Sequence, residues 1–344
     1  LVVWGGDDDT APLVDNEYEI FGQRIDGATG VELGTNDFRI SDMGPDGFVN
    51  YRADDPAVAW NETDNEYLVV WRGDDDTGLL VDDEVEIYTQ RIDGATGAEV
   101  GTNDFRISDM GSTDGVIIFG ASDPAVAWNA TDDEYLVVWR GDDDTGTLVD
   151  NEFEIFGQRI TATTGAEAGI NDFRITDMGP QGNVSFTADN PAVTWNAAAN
   201  EYLVVWEGDD DTGPLVDDEF EIFGRRLNSA GSQLGTTDVQ FSDMGIGGDA
   251  NFDAFSPGMA YNPMRNEFLV VWSGDDDTGP LVDDESEIFG QLFSAIAVVG
   301  GGVGGGSGGG CTLNQLATAY DPTLPLLILF AMGYLLLRRM SRGE

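Results

Sequence analysis

The chain is 344 residues long, with 65 acidic against 15 basic residues, a formal net charge of −50, and neither histidine nor lysine. Such a surface repels nucleic acid, and with no histidine and one cysteine, Cys311, the ligand sets of zinc, copper and iron–sulfur sites are missing, so only oxygen-ligated cations fit. A lone cysteine excludes an intrachain disulfide, while 41% hydrophobic and 10% aromatic residues argue against disorder.

In chain order, Leu1 enters in the middle of a repeat, without an initiator methionine or an apolar signal stretch, as expected of a fragment or of a longer secreted chain whose start is missing. The stretch around Trp4 recurs around Trp71, Trp139, Trp206 and Trp272, at intervals of 67, 68, 67 and 66 residues. That period is close to that of a multi-strand propeller blade. In the second copy, runs at 56–60, 66–71, 86–92 and 104–108 read as strands. A polar turn at 61–65 joins the first two, and a glycine-containing hairpin at 93–97 joins the last two.

Residues 67–71 are apolar without alternation, which indicates a strand buried on both faces. Four-stranded sheets stacked face to face around an axis bury their middle strands in this way. The predicted fold is therefore all-β, a β-propeller of about five four-stranded antiparallel blades over residues 1–295, at approximately 1–48, 49–115, 116–183, 184–249 and 250–295. A string of sandwich domains is the rival, against which a period of 67 residues is short beside the ~100 of an immunoglobulin-like unit. The first copy lacks its opening strand and the fifth is irregular in its last. Either these end pieces complete one another or further blades precede them.

Between the second and third runs, every copy carries a long acidic connection, such as residues 73–84. Hairpin loops ordinarily take two to five residues, and a carboxylate-rich loop repels itself unless neutralised. Calcium, which takes six to eight oxygen ligands, is the predicted partner. Alternation along extended chain puts the first and third aspartates on one face and the middle one, such as Asp75, in water. The predicted ligand sets are Asp7, Asp9, Asp15, Glu17; Asp74, Asp76, Asp82, Glu84; Asp142, Asp144, Asp150, Glu152; Asp209, Asp211, Asp217, Glu219; and Asp275, Asp277, Asp283, Glu285. The spacing is not that of an EF-hand, and a solvated acidic rim that keeps a repetitive β-protein soluble is the alternative.

The Asp-Met-Gly triplets at 42–44, 109–111, 177–179 and 243–245 read as turns whose methionine fills a gap between blades. Arg39, Arg106 and Arg174 read as partners of neighbouring acids. Catalysis is not expected: near-identical blades place the same residue at every position around the axis, whereas a catalytic site needs unlike groups. No copy reads as holding a singular aspartate or glutamate, and no Ser-His-Asp or Cys-His arrangement exists.

From residue 296 to 310 the chain is a glycine-rich linker. Residues 311–344 follow with Cys311, an Asp-Pro-Thr-Leu-Pro stretch, an apolar run at 323–337 and an arginine-rich end. Fifteen apolar residues span roughly 22 Å as a helix, a little short of the ~30 Å hydrocarbon core. The arginines place that end in the cytoplasm and the repeats outside.

The strand pattern of residues 1–294 looks like the repeats of large bacterial secreted propeller-like proteins, which implies architecture and export but no activity. The tail at 308–342 resembles bacterial C-terminal sorting signals of the JDVT-CTERM type. That resemblance implies recognition by a sorting intramembrane protease, with processing at Gly310 and Cys311; Gln315 departs from a proline common in the family. Together these readings predict a non-enzymatic surface or secreted scaffold for binding or adhesion, anchored through the C-terminal helix before processing. A surface glycan or protein is its expected ligand. A carbohydrate-active propeller enzyme and a structural surface-layer element are the alternatives.

Overall fold

A computed structural model describes residues 1–75, 83–111, 119–145, 148–180, 182–210, 218–244, 251–275 and 286–294. The expected linker 296–310 and helix 323–337 lie outside them, and no helix among the described residues is long and apolar enough to cross a membrane.

The unbroken apolar runs form the second strand of each repeat, and the polar turns flanking them fold the chain back at once. The result is five antiparallel meanders. The first has three strands, β1 (Val2–Asp7), β2 (Tyr18–Ile25) and β3 (Glu32–Arg39). Three four-stranded sheets follow: β4 (Ala53–Asn61) to β7 (Glu99–Arg106) through β5 (Glu66–Asp74) and β6 (Val85–Asp93); β8 (Gly120–Asn129) to β11 (Glu167–Arg174) through β9 (Glu134–Asp142) and β10 (Phe153–Thr161); and β12 (Ala188–Asn196) to β15 (Gln233–Gln240) through β13 (Glu201–Asp209) and β14 (Phe220–Asn228). The last is again three-stranded, with β16 (Ala254–Asn262), β17 (Glu267–Gly274) and β18 (Glu287–Ser294). The end pieces do not complete one another; each is a sheet of its own.

Successive sheets meet through their first strands, β4 against β8, β8 against β12 and β12 against β16, while β1 lies against β4. The arrangement is propeller-like, with these strands innermost. The packing explains the missing alternation in the second strands. Val69 and Trp71 point back into a core with Ile20, Ile40 and Met43 of the preceding sheet, whereas Leu68 and Val70 point forward into one with Tyr135, Val137 and Trp139 of the next. Leu136 and Val138 repeat the forward half against Tyr202, Val204 and Trp206. Leu68 to Trp71 are fully buried, and each such side chain contributes about 1.5–3 kcal/mol. Sheets strung out as separate domains would leave one face of each strand wet.

The Asp-Met-Gly turns act as stitches between sheets. The Trp71 indole N–H points at Met43 Sδ at 3.4 Å, and Trp272 at Met244 Sδ at 3.5 Å. The glycine two residues after each tryptophan clears the way: a Cβ on Gly73 would sit 2.9 Å from Met43 Cε, and one on Gly141 2.6 Å from Met110 Sδ.

Candidate functional site

The meander registers pair Ala53 with Gly73, Asp74 with Val85 and Tyr88 with Arg106. The acidic connections and the crossovers from each sheet to the next therefore gather at one end of the axis, while the short turns lie at the other. At that far end Asn61 Oδ1 accepts the Thr63 and Asp64 N–H groups, at 2.8 and 3.1 Å.

At the acidic end the loop carboxylates are turned to backbone donors. Asp7 accepts Asn16 N, Asp74 accepts Asp83 N, Asp142 accepts Asn151 N and Asp209 accepts Asp218 N, each at 3.0 Å. The donors all have left-handed φ, between 66 and 74°, a conformation that Asn and Asp tolerate. That explains Asn16 and Asn151 in the returning arm. Burial pushes Asp142 up to about 6, against the hydrogen bond from Asn151. The closing glutamates are equally committed. Glu17 accepts Val14 N and Gly47 N at 3.0 Å, and Glu152 accepts Val149 N at 3.0 Å and Gly182 N at 2.9 Å. Glu84 and Glu219 are buried in the same way.

The alternation expected along the loop is reversed. Asp75 and Asp143 are buried, not in water, while Asp9, Asp15, Asp144 and Asp150 are exposed. Extended chain stops at the first aspartate, where β5 and β9 end. The middle one then closes a tight turn, as Asp143 accepts Thr145 N at 2.9 Å and Asp8 accepts Thr10 N at 2.9 Å. Among the described residues no group of three or more carboxylates converges at metal-binding spacing. Asp275 is described, whereas Asp76, Asp82, Asp211, Asp217, Asp277, Asp283, Glu285, Gly310 and Cys311 lie outside the described residues.

A second glutamate, two residues further on, was not singled out by sequence reasoning. Glu86 Oε1 accepts Met110 N at 2.8 Å and Oε2 accepts the Ser108 hydroxyl, whose oxygen takes Ile87 N at 2.7 Å. Glu19, Glu154 and Glu221 repeat this brace with Ser41, Thr176 and Ser242. Burial holds Glu86 up at about 8 and the other three at about 7, against their hydrogen bonds. As expected, Arg39 and Arg174 pair with Asp42 and Asp177 at 2.9 and 3.1 Å, and Arg106 with Asp109 at 3.4 Å.

The innermost strands differ from these braces. Each carries a bulge before a proline, between Asp54 and Ala57, Ser122 and Ala125, Asp189 and Ala192, and Phe255 and Gly258. The bulged residues, Asp55, Asp123, Asn190 and Ser256, have φ from 48 to 53°. A bulge turns a side chain out of the pleat, and here the equivalent position carries aspartate in two sheets, asparagine in the next and serine in the last. The position after the second-strand tryptophan varies too: Gly5, Arg72, Arg140, Glu207, Ser273. Side chains there reach the next sheet. Arg140 pairs with Asp189, its guanidinium 3.5 Å above the Phe153 ring, and Glu207 accepts Ser256 N at 2.6 Å together with the Asn190 amide.

Glu207, 7% exposed, lies directly opposite Asp189 in the strand pairing. Like charges opposed across strands are unfavourable, and here Arg140 of the preceding sheet offsets the repulsion by pairing with Asp189. Glu207 is thus a singular carboxylate, contrary to the expectation that no copy holds one. Its signal was Trp-Glu-Gly at 206–208 where the second and third copies read Trp-Arg-Gly.

No protein-family model matches the chain, and no curated protein matches it in sequence. Solved structures do superpose on it. An N-acetylgalactosamine deacetylase from F. plautii in complex with blood group B trisaccharide is 11% identical at a TM-score of 0.43, over 84% of each chain. A Hadza microbial sialidase is 10% identical at 0.47, over 82% of this chain and 53% of its own. The α-L-arabinofuranosidase of Fusarium graminearum with an iminosugar inhibitor is 12% identical at 0.45, over 85% and 76%. All three are named as enzymes of carbohydrates, against the expectation of a non-catalytic chain. The names stay with those proteins; the correction for this one rests on its axis. Its blades are not equivalent there, so the symmetry that argued against catalysis is broken where a site would form.

Proposed function

We propose that this protein is a carbohydrate-active hydrolase of propeller-like architecture, working outside the cell, with its site at the acidic end of the axis. What carries the reading is Glu207, a buried carboxylate without a counterpart in the other repeats, held by Ser256 N and the Asn190 side chain from two of the inner-strand bulges. Two donors, Ser256 N and the Asn190 amide, fix the orientation of Glu207, assigned as the general base or nucleophile. Asp123, at the equivalent bulge of β8, is assigned as the acid, so that the two carboxyls of glycoside hydrolysis come from different sheets. Arg140 pairs with Asp189 beside Glu207. Asn190, Ser256 and Asp55 offer donors and acceptors to sugar hydroxyls, and Tyr18, Phe153 and Phe220 offer ring faces near the rim. The membrane tail and its processing at Gly310 and Cys311 belong to the same reading as the means of display.

The test is a hydrolysis screen over neutral, acidic and amino-sugar glycans, with Glu207→Gln and Asp123→Asn beside the native chain. Native turnover, reduced about 10²–10⁴-fold by each substitution, is expected. Glycan binding without turnover would return the protein to the scaffold reading.

A further inference from the structure

Position 72 presents an anomaly of charge. In a chain with 65 acidic residues, every described arginine but one has a polar partner: Arg52 holds Asp54 at 2.8 Å, Arg91 holds Glu66 at 2.9 Å and Arg159 holds Glu134 at 2.7 Å. No ion pair or hydrogen bond joins Arg72 to any described residue. The reason lies in the next sheet. Arg140, one repeat on, reaches Asp189, whereas the position corresponding to Asp189 in the sheet facing Arg72 is Ser122, whose hydroxyl is donated to Asp123 at 3.1 Å.

Arg72 lines a cleft of ≈ 220 Å³ between the second and third sheets, with Arg140 on its other wall and Phe119 and Phe153 beside them. Below the ~300–1,000 Å³ of sites that enclose a whole ligand, this volume suits one ring or one charged substituent. The acids at the cleft are Asp83 and Asp142, and Asp142 is turned to Asn151 N at 3.0 Å. The overall negative charge does not decide the matter, because at physiological salt the screening length is about 8 Å and contacts inside a cleft are shorter than that.

We infer that Arg72 and Arg140 form a subsite for an anionic substituent of the glycan, a carboxylate or a sulfate ester, in the cleft between the second and third sheets. The inference rests on the carbohydrate reading, and it names the substrate class as an acidic glycan. Guanidinium groups bind either anion through paired N–H donors, and the excess of carboxylates elsewhere at the rim disfavours any anion placed outside this cleft. Arg72, free of internal duties, sets specificity; Arg140 divides its donors between Asp189 and the cleft.

Binding of methyl galacturonoside, methyl galactoside 6-sulfate, methyl galactoside and inorganic sulfate to the full chain is measured by calorimetry, for the native protein, Arg72→Gln and Arg72→Lys. The expected result is that one charged sugar binds more tightly than the neutral one, that Arg72→Gln weakens it about ten- to hundredfold, and that Arg72→Lys falls between. The preferred sugar tells carboxylate from sulfate. Equal affinity for charged and neutral sugars, or no loss in Arg72→Gln, overturns the subsite while leaving hydrolysis of neutral glycans intact. Anion binding lost in Arg72→Gln, in a protein that hydrolyses nothing, upholds the subsite and overturns the hydrolase.

Discussion

The two glutamates around each loop and the residues of the inner-strand bulges lie at the same end of the molecule, yet they obey opposite rules. Glu86 and its counterparts Glu19, Glu154 and Glu221 each hold a hydroxyl and a backbone N–H in the same geometry, sheet after sheet. At the bulges, Asp55, Asp123, Asn190 and Ser256 share a backbone conformation, but the side chain changes from carboxylate to amide to hydroxyl along the series. Repetition in this chain marks what a sheet needs to fold and dock; its interruption marks what the molecule does at one place only.

The largest test of that contrast is to restore symmetry at the axis. Glu207→Arg, which copies the second and third repeats, should abolish turnover by about 10²–10⁴-fold while circular dichroism stays native. Retained turnover would remove Glu207 from the site. Next in size, Trp139→Ala should cost about 3–5 kcal/mol in urea denaturation, because Trp139 is fully buried between two sheets. A cost below about 1 kcal/mol would mean that the sheets do not rely on one another.

Smaller effects follow from the braces. Ser108→Ala removes the donor to Glu86 and the acceptor of Ile87 N, and should cost about 1–3 kcal/mol without changing activity. The braces also set a pH dependence. The folded-state values of Glu19, Glu86, Glu154 and Glu221 are raised to about 7–8, so the native state holds protons that the unfolded chain releases above about 4.5. Their contribution is complete below that pH and is lost as pH rises through 7–8. The melting temperature should therefore fall by about a few degrees between pH 5 and 8, and Glu86→Gln should flatten the slope. A rising curve over that interval would contradict the assigned burial of these carboxyls. Calcium should act least. With Asp74, Asp142 and Glu152 already held by backbone N–H groups, millimolar calcium should raise the melting temperature by about 1–2 °C through the remaining loop acids. A rise of about ten degrees would make the loops metal sites first and braces second.

Much of the fold was legible in the sequence because periodicity and burial were written in the same residues. The unalternating run at 67–71 gave the buried second strand, the Asp-Met-Gly triplets gave the inter-sheet turns, and the polar run at 61–65 gave a turn. The acidic loops misled because a run of three aspartates looks extended on paper. The backbone turns after the first of them, sending Asp143 inward and Asp144 outward. The axis was missed for a different reason. Attention to what the copies share passes over Trp-Glu-Gly at 206–208 and the series Asp-Pro, Asp-Pro, Asn-Pro, Ser-Pro, whose message is carried by their differences.

The stitch made by tryptophan, methionine and glycine has a consequence for how such a molecule diversifies. Trp71, Met43 and Gly73 fasten one sheet to its neighbour without involving the bulge at Asp55. A duplicated unit can therefore inherit its fasteners unchanged while its rim residue drifts, so new recognition chemistry is acquired one sheet at a time, with the stack that supports it left as it was.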